Sequence, residues 1–455
     1  MDALFIERCD RLLPGGYRAF FPPAGAPFRG VTVNTLRLPT EAFGAHAPFR
    51  VEKSPFCPAG FYLLEEGGAG LHPYHHAGVY YVQEPSASAP AALLGVRPGE
   101  RVLDLCAAPG GKTAQLGAAL QGKGLLVANE FVSKRAAVLL SNIERMGIAN
   151  AVVTNESAER LAEAFPGYFD RILVDAPCSG EGMFRKEPEA LRQHSQRLID
   201  SCAALQRELL ASAAAALRPG GVLVYSTCTF SPEENEGTVG AFLREHLDFV
   251  LEDTSAQFGC PGHASCCGEG LIEVEKVRRI YPVHGGEGQF MARLRKVGEG
   301  AALVPGRGRL APEKLPREAQ RFLESSFPEL CGAPAARHGA RALLLPWEPV
   351  FLPKNLRVLR AGVLAGELVP GRGRDARFEP HHSLYMAFGG KCANRLELPV
   401  LDARVAAWLR GEQIAAPGQA AGYAAVTVDG FPLGFGKAGG GSLKNHYPKG
   451  LRNLK

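Results

Sequence analysis

Between residues 101 and 296, short apolar runs alternate with longer segments in which apolar residues recur at helical spacing. The runs that predict strands are RVLDLCA (101–107), GLLVANE (124–130), NAVVTNE (150–156), DRILVDAP (170–177), VLVYSTC (222–228) and FMARLRK (290–296). The segments that predict helices are TAQLGAAL (113–120), SKRAAVLLSNIERMGI (133–148) and the Ala- and Leu-rich stretch 198–217. Strands that alternate with helices predict an α/β fold with a doubly wound parallel sheet. Ligands of such sheets bind at the carboxyl ends of the strands.

The pattern is less regular on both sides of this block. Residues 1–95 hold Pro- and Gly-rich stretches and one strand-like segment, VTVNTLRL. After about residue 300, PGRGRLAPEKLPREAQ predicts a linker, and GGKCANRLELP sets off a last piece of about 60 residues. We therefore expect four parts: residues 1–95, the α/β domain 96–298, a linker with a mixed α+β domain at 299–390, and 391–455.

Composition excludes several classes of protein. A hydrophobic content of 46% and a charged content of 21% are typical of a globular chain. No run of about 18 apolar residues is present, and the N-terminus, MDALFIERCDRLL, lacks the pattern of a secretion signal. Eleven cysteines spread along the chain, an odd number, argue against a disulfide framework. We expect a cytoplasmic monomer that does not contact a membrane.

The net charge of +5 is unevenly distributed. From residue 301 onward there are 22 Lys and Arg against 12 Asp and Glu, whereas acidic residues outnumber basic ones before it. No acid follows Asp429, but Lys437, Lys444, Lys449, Arg452 and Lys455 do. Basic residues gathered in one part indicate either a surface for a polyanion such as RNA or a merely solvated face.

The segment LDLCAAPGGKT (103–113) raises the question of which ligand its glycines accept. A loop for nucleoside triphosphates needs a glycine where Cys106 stands, and APGGKT (108–113) does not match the dinucleotide fingerprint. A nucleoside cofactor without pyrophosphate fits better, because Gly110 and Gly111 let the backbone approach a ligand closely. Glu130, at the end of the second strand, can accept both ribose hydroxyls. With Asp175 facing the same crevice, the pattern indicates S-adenosylmethionine.

Two cysteines lie just beyond predicted strand ends, in DAPCSGEGMFRK (175–186) and YSTCTFSPEENE (225–236). Cys178 and Cys228 are therefore expected near each other and near the cofactor. A thiolate that adds to C6 of cytosine turns C5 into a nucleophile for a methyl group, and a second thiol can assist release. A carboxyl group near N3 would stabilise the developing charge. Since a free thiol has a pKa of about 8.5, the nucleophile needs activation, for which Lys112 and the strand-end electrostatics are candidates.

At these motifs the chain resembles the Sun-related family of RNA 5-methylcytosine methyltransferases. LDLCAAPGGKT, DRILVDAPCSGEGMFRK and YSTCTFSPEENE are similar to that family's cofactor, Asp-Ala-Pro-Cys and Thr-Cys motifs. VNTLRL, HPYHHAGVYYVQEPSA (72–87) and RIYPVHGGEGQFMARLRK (279–296) extend the likeness on both sides of the central motifs. FEPHHSLYMAF and LKNHYPKGLR resemble the C-terminal extension of the F-type branch, which modifies small-subunit (16S) ribosomal RNA.

The resemblance implies a Rossmann-like methyltransferase domain, an N-terminal RNA-binding subdomain and a C-terminal PUA-like RNA-binding domain. It implies that Cys228 attacks C6, that Cys178 helps to release the methylated base, and that Asp175 contacts the cytosine or the methionine end of the cofactor. The residues it implies for holding S-adenosylmethionine are Ala107, Ala108, Pro109, Gly110, Gly111, Lys112, Thr113, Glu130, Arg135 and Asp175. The partner it implies is ribosomal RNA or the small ribosomal subunit, and the reaction is methylation of cytidine C5.

One position departs from the family's pattern. Many members carry an acid after the third strand that contacts the adenine amine, and our register places Ser157 there. Glu156 is adjacent, so the residue that contacts adenine stays open.

Other features are assigned no chemistry. The segment CPGHASCC (260–267) lacks a second ligand pair at zinc-finger spacing, so we expect no metal site. The paired histidines His75-His76 and His381-His382 are expected to be structural or to contact RNA, and Tyr447 to contact RNA. Two other functions remain to be weighed: a non-catalytic RNA-binding factor for ribosome assembly, and a methyltransferase for small molecules or proteins.

Overall fold

The structure is a computed structural model that describes residues 3–22, 25–267, 273–298, 300, 303, 308, 310–353, 355–371 and 376–453. Residues 305–307 and 309 of the predicted linker lie outside the described residues. Within the described part of the chain, no helix is long and apolar enough to span a membrane.

The N-terminal region is built around a small antiparallel sheet. Its elements are α1 (Ala3–Leu12), α2 (Tyr17–Phe20), β1 (Gly30–Val33), α3 (Thr40–His46), β2 (Val51–Lys53), β3 (Gly60–Leu63), α4 (Pro73–His76) and β4 (Tyr80–Gln83). The strand order is β2-β3-β1-β4. The strand-like segment VTVNTLRL thus supplies β1, which ends at Val33 because the chain turns immediately afterwards.

The central domain has a long, mostly parallel sheet. Its elements are α5 (Ala89–Leu94), β5 (Arg101–Asp104), α6 (Gly111–Ala119), β6 (Leu125–Asn129), α7 (Ser133–Met146), β7 (Ala151–Thr154), α8 (Ala158–Ala164), β8 (Phe169–Asp175), α9 (Pro188–Gln193), α10 (Gln196–Ala216), β9 (Leu217–Thr227), α11 (Glu236–Glu245), β10 (Phe249–Glu252), β11 (Arg278–Ile280) and β12 (Gln289–Lys296). The strands β7-β6-β5-β8-β9 run parallel, and β12 pairs antiparallel with β9. All six strands and three helices predicted from the sequence are present.

The apolar runs become central strands because both faces of the sheet are covered. Along β5, Val102 packs into one hydrophobic cluster and Leu103 into the other, and the same alternation holds for Leu173 and Ile172 on β8. Strands buried on both faces need continuous apolar runs, since successive side chains point to opposite faces. The chemistry is therefore confined to the residues that follow the strands.

The C-terminal third forms two further sheets. Its elements are α12 (Arg317–Ser326), β13 (Ala335–His338), β14 (Arg341–Leu344), β15 (Val358–Ala361), β16 (Val363–Pro370), β17 (Ala376–Pro380), α13 (His382–Phe388), β18 (Arg395–Leu398), α14 (Ala403–Arg410), β19 (Ile414–Ala415), β20 (Gly422–Val428), β21 (Phe431–Gly439) and β22 (Ser442–Asn445). One sheet has the order β13-β14-β16-β17, and the other β18-β20-β21-β22-β19.

The parts of the chain are joined by shared structure. β15, far along the sequence, pairs antiparallel with β7 and completes the edge of the central sheet. The N-terminal and C-terminal sheets share one hydrophobic core, in which Val31 and Tyr80 belong to the same cluster as Trp408 and Leu433. The segment 299–390 thus contributes to the central sheet as well as forming a sheet of its own.

Candidate active site

Two cysteines meet where two neighbouring strands end. β8 ends at Asp175 and β9 at Thr227, and these parallel strands place Asp175 opposite Ser226. The loops that follow emerge side by side, and the Sγ atoms of Cys178 and Cys228 lie 3.2 Å apart. Strand order thus brings together two thiols that are 50 residues apart in the chain.

The two thiols are not equivalent. The hydrogen bond to Cys228, followed by burial, raises the pKa of Cys178 well above that of an ordinary thiol. Cys178 therefore keeps its proton at neutral pH and can donate its S–H to the sulfur of Cys228. A donor aimed at a sulfur stabilises negative charge on it.

An ion pair lies beside the thiols. Lys112 Nζ is 2.8 Å from Oδ2 of Asp175, and Ser226 Oγ donates to Oδ1 at 2.7 Å. Gln289 Nε2 lies 3.4 Å from the same Oδ1. Burial opposes the charge of Lys112, but Asp175 outweighs it and raises the pKa of Lys112, with a smaller contribution from a thiolate at Cys228. Lys112 is thus a fixed positive charge near Cys228, and it would attract a negative charge on that sulfur.

Hydrogen bonds to its backbone fix the position of the glycine loop. Ala107 N donates to the carbonyl of Asn129 at 2.8 Å, and Arg135 donates to the carbonyl of Ala108 at 2.8 Å. Gly110 has a φ of 116°, which favours glycine. A Cβ atom at Gly111 would lie 2.4 Å from the side-chain oxygen of Gln83 and 3.1 Å from the ring of Tyr81, so a larger residue there would displace these side chains.

The buried carboxyl group of Asp104 forms a hydrogen bond with the last residue of this loop. Asp104, 1% exposed, accepts a hydrogen bond of 2.7 Å from Thr113 through Oδ2. Burial raises the pKa of Asp104 to about 7. Its Oδ1 is buried and has no partner among the described residues. An unsatisfied acceptor at the loop can take a donor from a ligand such as an ammonium group.

Glu130 follows β6, as the sequence predicted, and is 4% exposed. Its Oε1 accepts from the backbone N–H of Val132 at 2.8 Å, and Oε2 lies 3.6 Å from Arg135. The carboxylate is fixed in place and has further lone pairs for two hydroxyl groups. A carboxylate for a ribose, an unsatisfied acceptor and a close-approach loop fit the groups of S-adenosylmethionine.

The position after the third strand serves a structural purpose. Ser157 Oγ accepts from the backbone N–H of Arg160 and caps α8. Glu156 Oε1 accepts from the backbone N–H of Arg357 at 2.6 Å. Both side chains that the sequence offered for the adenine contact are thus engaged within the protein.

Several residues that sequence reasoning did not assign hold the cysteine loops. They belong to the run Pro-Glu-Glu-Asn-Glu after Cys228. The contacts of this run are Glu233 with Arg8, Glu234 with Ser179 and Gln206, Asn235 with Thr227 and Thr229, and Glu236 with Arg279. The sequence signal for these contacts was the presence of three acids within five residues, just after a predicted strand of the core. Acids that are buried there need partners, because acids are rarely buried alone.

Helix α1 also braces these loops. Phe5 packs against Phe184, beyond Cys178, and Phe230, beyond Cys228, with ring centroids 5.4 and 6.0 Å away. Arg8 is 7% exposed and forms an ion pair with Glu233 at 2.6 Å. The first helix therefore contacts both loops of the site in addition to any role in binding RNA.

The histidine pairs lie at the joint between the N-terminal and C-terminal parts. Tyr447 is 4% exposed and its hydroxyl lies 3.2 Å from Nδ1 of His76, so the expectation of an RNA-facing tyrosine is wrong. Its ring meets His382 edge-on. Burial lowers the pKa of His75 to about 3 and that of His76 to about 4, and both are neutral at physiological pH.

The segment CPGHASCC (260–267) packs against the central domain. Cys260 forms an isolated bridge with Arg279, and Cys266 is buried. Among the residues with described positions, no three His, Cys, Asp or Glu side chains are grouped so that they could hold a metal ion.

Comparison with known proteins identifies three matching families along the chain. Residues 1–85 match the N-terminal domain of 16S rRNA methyltransferase RsmF. Residues 91–295 match 16S rRNA methyltransferase RsmB/F, and 395–453 match the methyltransferase RsmF PUA domain.

Whole-length relatives agree. The chain is 34% identical over 444 residues to Ribosomal RNA small subunit methyltransferase F of Aeromonas hydrophila, covering 93% of this chain and 90% of the relative. It is 35% identical over 486 residues to the protein of the same name from Cronobacter sakazakii, covering 98% and 95%.

Solved structures resemble a large part of the chain. A methyltransferase homolog protein from Pyrococcus horikoshii matches with a TM-score of 0.54 and 29% identity, covering 65% of this chain and 100% of that one. NSun6 from Pyrococcus horikoshii, solved with SFG, matches with a TM-score of 0.53 and 25% identity, covering 60% and 92%. These matches confirm the predicted fold and the family resemblance. The chain belongs to the RsmB/F family of 16S rRNA methyltransferases, and S-adenosylmethionine is its cofactor.

Proposed function

We propose that this rRNA methyltransferase methylates C5 of a cytidine in 16S ribosomal RNA through a covalent bond between Cys228 and C6 of the base. The observation that carries the proposal is the contact of the Cys178 and Cys228 sulfurs beside the Lys112–Asp175 ion pair. Methylation of a nitrogen or oxygen atom needs no such thiol pair, because those atoms are already nucleophilic.

The chemistry assigns a task to each of these groups. The Cys228 thiolate forms a bond to C6, and the C5–C6 π electrons move to make C5 nucleophilic. Lys112 favours the thiolate by its positive charge. Asp175, paired with Lys112, is the carboxyl group that stabilises the charge developing on the cytosine ring. The cofactor supplies an electrophilic methyl group at its sulfonium centre.

Release of the product reverses the first bond. After methylation, C5 gives up its proton to a water molecule, the electrons of the C5–H bond form the C5–C6 double bond again, and the electrons of the S–C6 bond return to Cys228. Cys178 is the group in contact with the departing sulfur, and its retained proton gives that sulfur a hydrogen-bond donor. We therefore assign Cys178 to release.

We propose that the cofactor is held by the loop from Ala107 to Thr113, by Glu130 at the ribose and by Asp175 near its methionine end. Arg135 acts through the carbonyl of Ala108 and the carboxylate of Glu130. The support is the fit of these groups: a close-approach glycine loop, a fixed buried carboxylate and the unsatisfied Oδ1 of Asp104.

We propose that the N-terminal region and the PUA domain hold the RNA, so that the target base enters the thiol site extruded or single-stranded. The proposal places the enzyme in the cytoplasm, acting as a monomer on ribosomal RNA or on the small subunit. The excess of basic residues after residue 300 supports contact with a polyanion.

The test is transfer from S-adenosylmethionine with a labelled methyl group to 16S RNA and to small subunits purified from cells that lack this protein. The label should appear in 5-methylcytidine after digestion. Label in another modified nucleoside would overturn the C5 assignment, and transfer by the Cys228→Ala variant would overturn the covalent mechanism.

A further inference from the structure

Behind the two cysteines, four side-chain oxygens form a continuous chain. Ser179 and Thr229 directly follow the two cysteines, and their hydroxyl oxygens lie 2.8 Å apart. Ser179 Oγ also contacts Oε1 of Glu234, and Thr229 Oγ1 lies 3.0 Å from Oε2 of Glu181. A hydroxyl–hydroxyl pair therefore links two carboxyl groups, and all four residues are buried.

The number of protons in this chain is constrained. Three contacts between four oxygens need three protons, and two hydroxyl groups supply only two. If both carboxyl groups were ionised, one contact would set two oxygens at hydrogen-bond distance with no proton between them. Such a contact is repulsive and, in a buried site, is not relieved by water. One carboxyl group must supply the third proton.

The surroundings of Glu234 indicate which oxygen carries it. Oε2 of Glu234 accepts two N–H donors, from the backbone of Ser179 at 3.0 Å and from Gln206 Nε2 at 2.9 Å. Oε2 is therefore the acceptor oxygen of this group. Oε1, which faces the Ser179 hydroxyl, is the oxygen at which a proton completes the chain.

The charges nearby separate the two carboxyl groups. Glu181 accepts from the backbone N–H of Phe230 at 2.9 Å, contacts His194 Nε2 at 3.0 Å, and interacts electrostatically with Arg8. Glu181 thus has a cation, Arg8, within electrostatic range.

Among the described residues, Glu234 forms no ion pair with a cation. The ionisable groups that interact electrostatically with it include Glu181, Cys178, Cys202 and Tyr225, which are all acids. Burial raises the pKa of Glu234 to about 7. Both the geometry and the charges therefore place the third proton on Glu234.

We propose that Glu234 is protonated in the resting enzyme and acts as a positioning residue, whose proton ties the loop of Cys178 to the loop of Cys228. Gln206 Nε2 binds the carbonyl of Pro177, just before Cys178, as well as Glu234. The carboxyl group cannot turn away, so loss of its proton breaks the chain and loosens the contact between the thiols. The contribution of these loops to the rate of methyl transfer is then greatest below about pH 7.

Glutamine at position 234 is the matched replacement. Its amide N–H₂ donates to Ser179 Oγ as the protonated acid does, and its carbonyl accepts the two N–H groups. Glu234→Gln is thus a permanently protonated mimic. Glu233→Gln is the control, since Glu233 is the adjacent acid and is paired with Arg8.

The first measurement is the infrared difference spectrum of the full-length protein, titrated from pH 5 to 9. Two buried carboxyl groups, Glu234 and Asp104, have a pKa of about 7. The wild type and Glu233→Gln should therefore show a protonated-carboxyl absorption from both groups that disappears around pH 7, and Glu234→Gln should lose the part that belongs to Glu234. An absorption of equal strength in Glu234→Gln and the wild type, or its absence from the wild type, would overturn the proposal. This result does not depend on RNA or on methyl transfer, so it stands apart from the proposed function.

The second measurement rests on the proposed function and uses single-turnover methyl transfer. The rate of Glu234→Gln divided by the wild-type rate should rise about fivefold between pH 7 and pH 8, because a group with a pKa near 7 goes from about one-half to one-tenth protonated. A ratio that does not change with pH would overturn the positioning role. If Glu234→Gln does not fold, Thr229→Ser, which keeps the chain, and Thr229→Val, which breaks it, are compared by infrared. Identical carboxyl bands in those two variants would also overturn the proposal.

Discussion

The Sγ atoms of Cys178 and Cys228 lie 3.2 Å apart, and the hydrogen bond between them helps to keep Cys178 protonated. We expect Cys228→Ala to abolish methyl transfer, because no sulfur then adds to C6. Cys178→Ala should instead accumulate an RNA–protein adduct, because release is impaired. Denaturing gels of the protein incubated with RNA and S-adenosylmethionine measure the adduct. Cys331→Ala, at an exposed thiol, is the control. An adduct with Cys228→Ala and none with Cys178→Ala would exchange the two roles.

Lys112 forms the ion pair with Asp175 and lies near Cys228. Lys112→Met should lower the single-turnover rate by about 100-fold or more, the usual effect of removing one preorganised electrostatic group. Lys123→Met, at an exposed position in the turn between α6 and β6, should leave the rate within about twofold. Circular dichroism checks that both variants fold. A rate for Lys112→Met close to that of the control would remove the lysine from the chemistry.

Glu130 presents a fixed carboxylate beside the glycine loop. Glu130→Gln should weaken the binding of S-adenosylmethionine by about 10- to 100-fold, since hydrogen bonds to a charged acceptor contribute about 1.5–3 kcal/mol. Isothermal titration calorimetry measures the affinity, with the exposed Glu159→Gln as control. Equal affinities in the two variants would contradict the ribose assignment.

Arg279 and Glu236 form a fully buried ion pair, with side chains 1% and 0% exposed. Arg279→Met should lower the free energy of unfolding by about 3–5 kcal/mol, because Glu236 keeps a buried charge without a partner. The double variant Arg279→Met/Glu236→Leu should recover part of this loss. Urea denaturation measures all three proteins. A double variant less stable than Arg279→Met would show that the pair is not the source of the loss.

Glu233 makes stability depend on acid pH. Burial opposes ionisation, but hydrogen bonds from Arg8 and Ser231 outweigh it and lower the pKa of Glu233 to about 2. A carboxyl group whose pKa falls on folding stabilises the protein above its unfolded pKa of about 4.3, and this contribution is lost as the pH falls towards 2. The difference in thermal stability between the wild type and Glu233→Gln should therefore be largest near neutral pH and shrink below about pH 4. A difference independent of pH would contradict the assignment.

The central sheet could be predicted from the sequence because its signal is local. Each buried strand is an apolar run, and a parallel α/β order places the ends of consecutive runs at one edge. The nearness of Cys178 to Cys228 and of Lys112 to Asp175 follows from that order. The supporting contacts could not be predicted, because a hydrogen bond between Glu234 and Ser179 joins residues on different loops and leaves no periodic trace in the sequence.

Two outcomes that could not be predicted have the same physical cause. Tyr447 lies among cations in the sequence but is buried against His76, 371 residues away, because the N-terminal and C-terminal sheets share a core. The sequence left open which residue after the third strand contacts adenine, and the structure uses Ser157 to cap α8. Both outcomes depend on which group, distant or near in the chain, forms a hydrogen bond with the side chain. Residue type alone does not specify that partner.

The pairing of β15 with β7 has a consequence for biosynthesis. All the residues proposed for catalysis leave the ribosome well before Val358–Ala361, so during translation the nascent domain carries an open strand edge that can template aggregation. A message interrupted after codon 298 would encode all the residues proposed for catalysis but would leave the edge of β7 uncovered. Such a fragment should aggregate more readily than the full-length chain.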